Sequence, residues 1–186
     1  MQIDVYPPYT PLVNPLAVAF FEEIVRPDFR AIEFGSGKST VWLARHCASV
    51  VSVENDREWF DAVGRKLREL GWAGVERYLV EHDQADKKMM HKSKEYVGVL
   101  ADYPDDHFDL VYVDGAARPW CIRDGRAKVR PGGWLVADDL GYNPVASALH
   151  LLDGWECTKF SGRVDGAIDG RPRNNTTGFF QKPEGV

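Results

Sequence analysis

Ala31-Ile32-Glu33-Phe34-Gly35-Ser36-Gly37-Lys38-Ser39-Thr40 decides how this chain is read. A short apolar run carries an acid near its end, a glycine-rich turn follows, and Ser39-Thr40 open a helical pattern. The next apolar run, Val50-Val51-Ser52-Val53-Glu54, also ends in an acid. Together they read as strand, turn, helix and strand. Such a unit sets backbone N–H groups and a helix N-terminus beside a ligand, and offers a carboxylate to two ribose hydroxyls. A nucleoside-containing cofactor is therefore expected.

The same residues contain a decoy. Gly35-Ser36-Gly37-Lys38-Ser39-Thr40 resembles the end of a phosphate-binding P-loop. That motif needs a glycine five positions before its G-K-[ST] glycine, and the residue there is Ile32, followed by Glu33. A carboxylate in a triphosphate cradle would repel its ligand, and the missing glycine removes backbone freedom. A P-loop kinase or NTPase stays as an alternative of a different class. So does a non-catalytic nucleoside-binding domain.

Outward from this stretch, apolar runs alternate with helical patterns. Asn14-Pro15 starts a helix, with a cap residue and Pro at the first helical position, and the helix stops before Pro27. Strands are predicted near 30–34, 49–53, 75–80, 110–113 and 134–137. Helices are predicted from Ser39, through Trp59, Val63 and Leu67 to Gly71, over 121–129 and over 144–152. Two final strands, 155–160 and 176–181, flank a Gly/Arg/Asn-rich loop. This order implies an α/β fold, a mostly parallel sheet covered on both faces, whose ligand binds at the carboxyl ends of the strands. A single domain over 1–186 is expected, with an N-terminal arm and helix in 1–28 and a core in 30–181. The connection 84–107 is long enough to be a lid or an excursion with its own helix.

Composition agrees with a folded globule: 186 residues, 44% hydrophobic and 12% aromatic. The net charge of −5 argues against a sequence-independent nucleic-acid binder. The three cysteines, Cys47, Cys121 and Cys157, lack metal or disulfide spacing. No apolar run reaches membrane-spanning length, and the N-terminus carries no basic, apolar leader. A cytoplasmic protein that acts on a small molecule, with no nucleic-acid or membrane partner, is expected.

Acids recur at predicted strand ends: Glu33, Glu54, Asp83 in Val80-Glu81-His82-Asp83, Asp114 in Val111-Tyr112-Val113-Asp114-Gly115, and Asp138-Asp139 after Pro131-Gly132-Gly133-Trp134-Leu135-Val136-Ala137. In this arrangement the chain resembles the class I S-adenosylmethionine-dependent methyltransferases over roughly residues 30 to 181. Ser39 stands where many members have a third glycine. The resemblance implies a Rossmann-like, doubly wound sheet of seven strands with the last antiparallel, S-adenosyl-L-methionine as cofactor, and methyl transfer to a small-molecule or saccharide-type acceptor, most readily at oxygen. It implies cofactor contacts at Glu33, Gly35, Ser36, Gly37, Glu54, Asp83 and Asp114. Glu33 would order the turn near the methionine end, Glu54 would accept the ribose hydroxyls, and Asp83 the adenine amino group. The turn would act through backbone N–H groups, so Lys38 is not expected to carry affinity.

Asp114, Asp138 and Asp139 are the candidate catalytic residues, at the place where the family positions methyl group and acceptor. Three carboxylates at neighbouring strand ends also invite a divalent metal such as Mg²⁺. Adjacent strand residues point to opposite faces, so Asp138 and Asp139 converge only if the strand has ended between them. Arg118, four residues after Asp114, is an alternative partner for these acids. A metal-dependent O-methyltransferase group related to this family places acids at these strand ends. Its catechol-type members have a Lys three residues after the Asp; here that residue is Ala117, and Arg118 stays protonated and cannot act as a base. Tyr6-Pro7-Pro8-Tyr9 lacks the leading Asp or Asn of amino-group DNA methyltransferases and reads as an extended arm that covers the cleft.

Overall fold

The computed structural model describes residues 5–72, 74–81, 90–164 and 173–185. Seven strands form one sheet in the order β3-β2-β1-β4-β5-β7-β6. They are β1 (Arg30–Phe34), β2 (Ser49–Glu54), β3 (Glu76–Leu79), β4 (Phe108–Val113), β5 (Val129–Ala137), β6 (Glu156–Val164) and β7 (Arg173–Gln181). Strands β3, β2, β1, β4 and β5 run parallel, and β7 is antiparallel to both β5 and β6. The expected Rossmann-like sheet with an antiparallel last strand is what the chain forms.

Alternation along each strand builds two cores. Ile32, Phe34, Val111, Val113, Leu135 and Ala137 face one side. There they meet Tyr96 and Val97 of α4 (Met90–Gly98), Cys121 and Ile122 of α5 (Arg118–Lys128), and Val145 of α6 (Asn143–Ala146). Ala31, Leu110, Tyr112, Val136 and Phe179 face the other side. They pack on Ala17, Phe21 and Ile24 of α1 (Pro15–Ile24) and on Trp42 and Leu43 of α2 (Lys38–His46). A third cluster joins Val41 of α2 to Val63 and Leu67 of α3 (Arg57–Glu69) and to Val5 of the N-terminal arm.

The helix ends follow local chemistry. Asn14 caps α1 by accepting from the Ala17 N–H at 3.1 Å, and its amide donates to the Phe160 carbonyl of β6 at 3.0 Å. Asp56 caps α3 by accepting from the Trp59 N–H at 3.0 Å. The long connection before β4 carries α4 and a 3₁₀ turn, Val99–Asp102, which bury Tyr96, Val97 and Leu100. It is a core-covering element in its described part.

Several elements differ in extent from the sequence reading. Helix α5 begins at Arg118 rather than 121, because Ala117 turns left-handed (φ 50°) and Pro119 fits the first helical turn. The predicted helix 144–152 is broken into α6 and a 3₁₀ turn, Leu149–Leu152. Strands β6 and β7 are longer than expected, because they continue to pair with each other, as far as Val164↔Arg173, beyond the reach of β5.

Candidate functional site

The carboxyl ends of β2, β1, β4 and β5 lie side by side, and strand order reverses between β1 and β4. The Glu33–Gly37 turn and the loop after β4 meet at that point. Gly35 adopts φ 101°, and a methyl group on it would lie 2.7 Å from Cα of Gly115. One on Gly115 would lie 2.6 Å from the Gly35 nitrogen. Only glycine permits this approach and this backbone conformation. Gly37 is different: its φ of −179° is extended, and nothing lies within 4 Å of an added methyl.

Glu33 is fully buried at the end of β1. Its carboxyl accepts from the hydroxyls of Ser39 and Ser52, each at 2.8 Å, and of Thr40. Thr40 Oγ1 in turn accepts from the Gly37 N–H at 2.9 Å. Glu33 thereby ties the turn, the start of α2 and β2 together. Burial pushes its pKa up to about 7, against the pull of the three hydroxyls.

Glu54 ends β2. Its Oε2 accepts from the Ser36 N–H at 2.7 Å, and its Oε1 from the N–H groups of Asn55 at 2.7 Å and Asp56 at 2.8 Å. Burial raises its pKa, while these backbone donors oppose that rise. An ionised carboxylate has about four acceptor sites, and these bonds fill three of them. Lys38 Nζ lies 4.1 Å from the ring centroid of Tyr6, which keeps 57% of its surface exposed. The N-terminal arm therefore rests at the rim of the turn.

Asp114 follows β4. Its Oδ1 accepts from Arg118 Nη2 at 3.1 Å and its Oδ2 from the Tyr112 hydroxyl at 3.2 Å. Burial and the neighbouring Asp138 carboxyl raise its pKa well above the usual carboxylate range. Strand β5 has ended before Asp138, and Asp139 turns left-handed with φ 56°. The two adjacent acids accordingly part company. Asp138 is buried and accepts from the Thr177 hydroxyl and the Asn175 amide of β7, both at 2.7 Å. Asp139 accepts from Arg118 Nη1 at 3.0 Å, with Arg173 at 3.8 Å.

The structure thus brings Glu33, Gly35, Ser36, Gly37 and Glu54 to one turn and Asp114, Asp138 and Asp139 to the adjoining loops. Asp114 and Asp139 converge on the Arg118 guanidinium, while the Asp138 carboxyl is held by β7 beside Asp114. Among the described residues, no group of three or more His, Cys, Asp or Glu side chains is arranged to hold a metal ion. Asp83, the expected adenine partner, lies outside the described residues. Sequence reasoning missed Asn175 and Thr177. Their one signal is alternation with Phe179, which places all three on the same face as Tyr112 and Val136. No helix among the described residues is long and apolar enough to cross a membrane.

The same architecture occurs in solved structures of low sequence identity. The precorrin 8W decarboxylase of Methanobacterium thermoautotrophicum is 20% identical with a TM-score of 0.63, over 98% of this chain and 97% of that one. The precorrin-6y C5,15-methyltransferase of Geobacter metallireducens is 13% identical with a TM-score of 0.64, over 98% and 94%. The O-methyltransferase of tomaymycin synthesis from Streptomyces achromogenes, solved with S-adenosylmethionine, is 23% identical with a TM-score of 0.58, over 89% and 77%. These likenesses establish the fold. No curated protein matches the sequence. The family described as "Methyltransferase domain" matches residues 32–140, from the first strand through the loop that carries Asp138 and Asp139. That match spans more than half of the chain and every strand end described above except those of the β6–β7 hairpin, and the protein belongs to the S-adenosylmethionine-dependent methyltransferases.

Proposed function

We propose that the protein transfers a methyl group to a hydroxyl of a small-molecule or saccharide-type acceptor bound beside Asp114. The observation that carries this reading is the contact of Gly35 with Gly115, which joins the cofactor turn to the Asp114 loop. A donor resting on the turn and an acceptor resting on the loop then share one crevice. In-line displacement depends chiefly on holding the two reactants at close range.

The residues present fit the cofactor. Glu54 retains acceptor capacity at the end of β2 for a ribose hydroxyl. Gly37 leaves open space where a side chain would otherwise project. The pinned turn presents a rigid wall, because Glu33 locks Ser39, Thr40 and Ser52 from below. When bound, the cofactor supplies an electrophilic methyl group on a sulfonium.

Asp114 acts on the acceptor. Its ionised carboxylate takes the hydroxyl proton as the oxygen–methyl bond forms and the sulfur–methyl bond breaks. Proton transfer of this kind contributes ~10²–10⁴-fold. Asp138 and Asp139 hold the loop around it. Asp114→Asn should lower kcat on the order of a hundred-fold or more, with S-adenosylhomocysteine affinity kept within a few-fold. The test is S-adenosylhomocysteine release from a panel of hydroxyl, amine and carbon acceptors. Turnover confined to amines or carbon acids overturns the oxygen assignment.

A further inference from the structure

We infer that Arg118 is the resident cation of the acid cluster: its guanidinium stands where a divalent ion would bridge Asp114 and Asp139, and this methyltransferase works without a metal. The inference rests on the acceptor site assigned above. Nε donates to the Gly115 carbonyl at 3.0 Å. Nη1 donates to the Asp138 carbonyl and to Asp139 Oδ2, both at 3.0 Å. Nη2 donates to the Asp114 carbonyl at 2.9 Å and to Asp114 Oδ1 at 3.1 Å. A guanidinium has five N–H donors in a fixed fork and stays protonated, and here every donor is used.

The acid oxygens are already turned to protein donors. The two carboxyl oxygens of Asp138 accept from Thr177 and Asn175. Asp114 Oδ2 accepts from Tyr112. A divalent cation needs several oxygens converging at ~2.0–2.6 Å, and it would have to enter beside a fixed positive charge. The side chain of Arg118 is 16% exposed, so solvent screens that charge little. The backbone on either side is shaped to this clasp. Ala117 and Asp139 both adopt left-handed φ values, 50° and 56°, which non-glycine residues seldom take. The fork thus spans the loops after β4 and β5 and fixes the direction of the Asp114 carboxyl. Arg118 is a positioning residue that acts through Asp114.

The experiment pairs Mn²⁺ titration of the wild-type protein, read by electron paramagnetic resonance, with turnover in three proteins. Wild type should bind no Mn²⁺ stoichiometrically and should keep its activity after chelator treatment. Arg118→Ala should lose on the order of a hundred-fold in kcat, the scale of a misplaced reacting group. Its affinity for S-adenosylhomocysteine should stay within a few-fold. Free guanidinium should restore part of that turnover, and Mg²⁺ or Mn²⁺ should not. Arg118→Lys keeps a charge that cannot span both acids; it should fold as wild type by circular dichroism and show intermediate kcat, which keeps the test decisive if the Ala variant fails to fold. Stoichiometric Mn²⁺ binding by wild type with chelator-sensitive turnover overturns the inference. So does a folded Arg118→Ala with wild-type kcat, wild-type kcat in Arg118→Lys, or rescue by Mg²⁺ alone. Mn²⁺ binding is read without turnover, so its outcome is separable from a failure of the acceptor assignment.

Discussion

Glu33 combines full burial, three hydroxyl donors and a pKa raised from 4.5 to about 7. The folded protein therefore holds this proton more tightly than the unfolded chain does. Its contribution to stability is complete below pH 4.5 and is lost as pH rises through about 7. The difference amounts to about 3 kcal/mol. Denaturant unfolding of wild type and Glu33→Gln between pH 4 and pH 8 checks this. Wild-type stability should decline across that window relative to the variant, and parallel curves would refute the assignment. Glu54 belongs to the same scale. It orders Ser36, Asn55 and Asp56 and still has an acceptor site to offer. Glu54→Gln should weaken S-adenosylhomocysteine binding about ten-fold or more, since a charge-assisted hydrogen bond is worth ~1.5–3 kcal/mol. Isothermal titration of the folded variant reads the loss directly.

The glycine turn and the loop after β4 function as one unit, so their glycines should respond unequally. Gly35→Ala meets Gly115 backbone at 2.7 Å and must hold a φ of 101°. It should cost about 2–5 kcal/mol, the sum of a left-handed residue and an overpacked contact. Gly37→Ala meets nothing and should change stability by less than about 0.5 kcal/mol. It should still reduce cofactor affinity, because the methyl projects into the space assigned to the cofactor. Chemical denaturation and S-adenosylhomocysteine titration of both variants separate these effects. Much at this scale was legible in the sequence. The acids at strand ends and the glycine pair are local signals, and apolar runs marked β1, β4 and the end of β5 as strands covered on both faces. What escaped was non-local. Asn175 and Thr177 are ordinary polar strand residues until β7 pairs with β5 and sets them under Asp138, 37 and 39 residues away in sequence. The full length of β6 and β7 was hidden for the same reason, since each strand is defined by the other. Arg118 was visible as a candidate through its spacing from Asp114, but its bridge to Asp139 depends on β4 and β5 being neighbours.

Across the described residues, helices pack both sheet faces, and the buried acids Glu33, Glu54 and Asp138 lie at the carboxyl ends of the strands beside the reversal of strand order. That separation of core and site is what an open α/β sheet offers a ligand. It also sets the central claim, that the Glu33–Gly37 turn is a nucleoside site for a methyl donor and not a triphosphate cradle. Lys38 is the residue on which the two readings divide. Its ammonium rests against the Tyr6 ring at the rim, whereas a P-loop lysine must reach phosphate. The most direct measurement is calorimetric titration of wild type and Lys38→Ala with S-adenosylhomocysteine and with ATP. The account predicts one S-adenosylhomocysteine per chain, an affinity changed by no more than a few-fold in Lys38→Ala, and no ATP binding by either protein. Tight ATP binding that disappears in Lys38→Ala, or no binding of S-adenosylhomocysteine to the folded wild type, would contradict it.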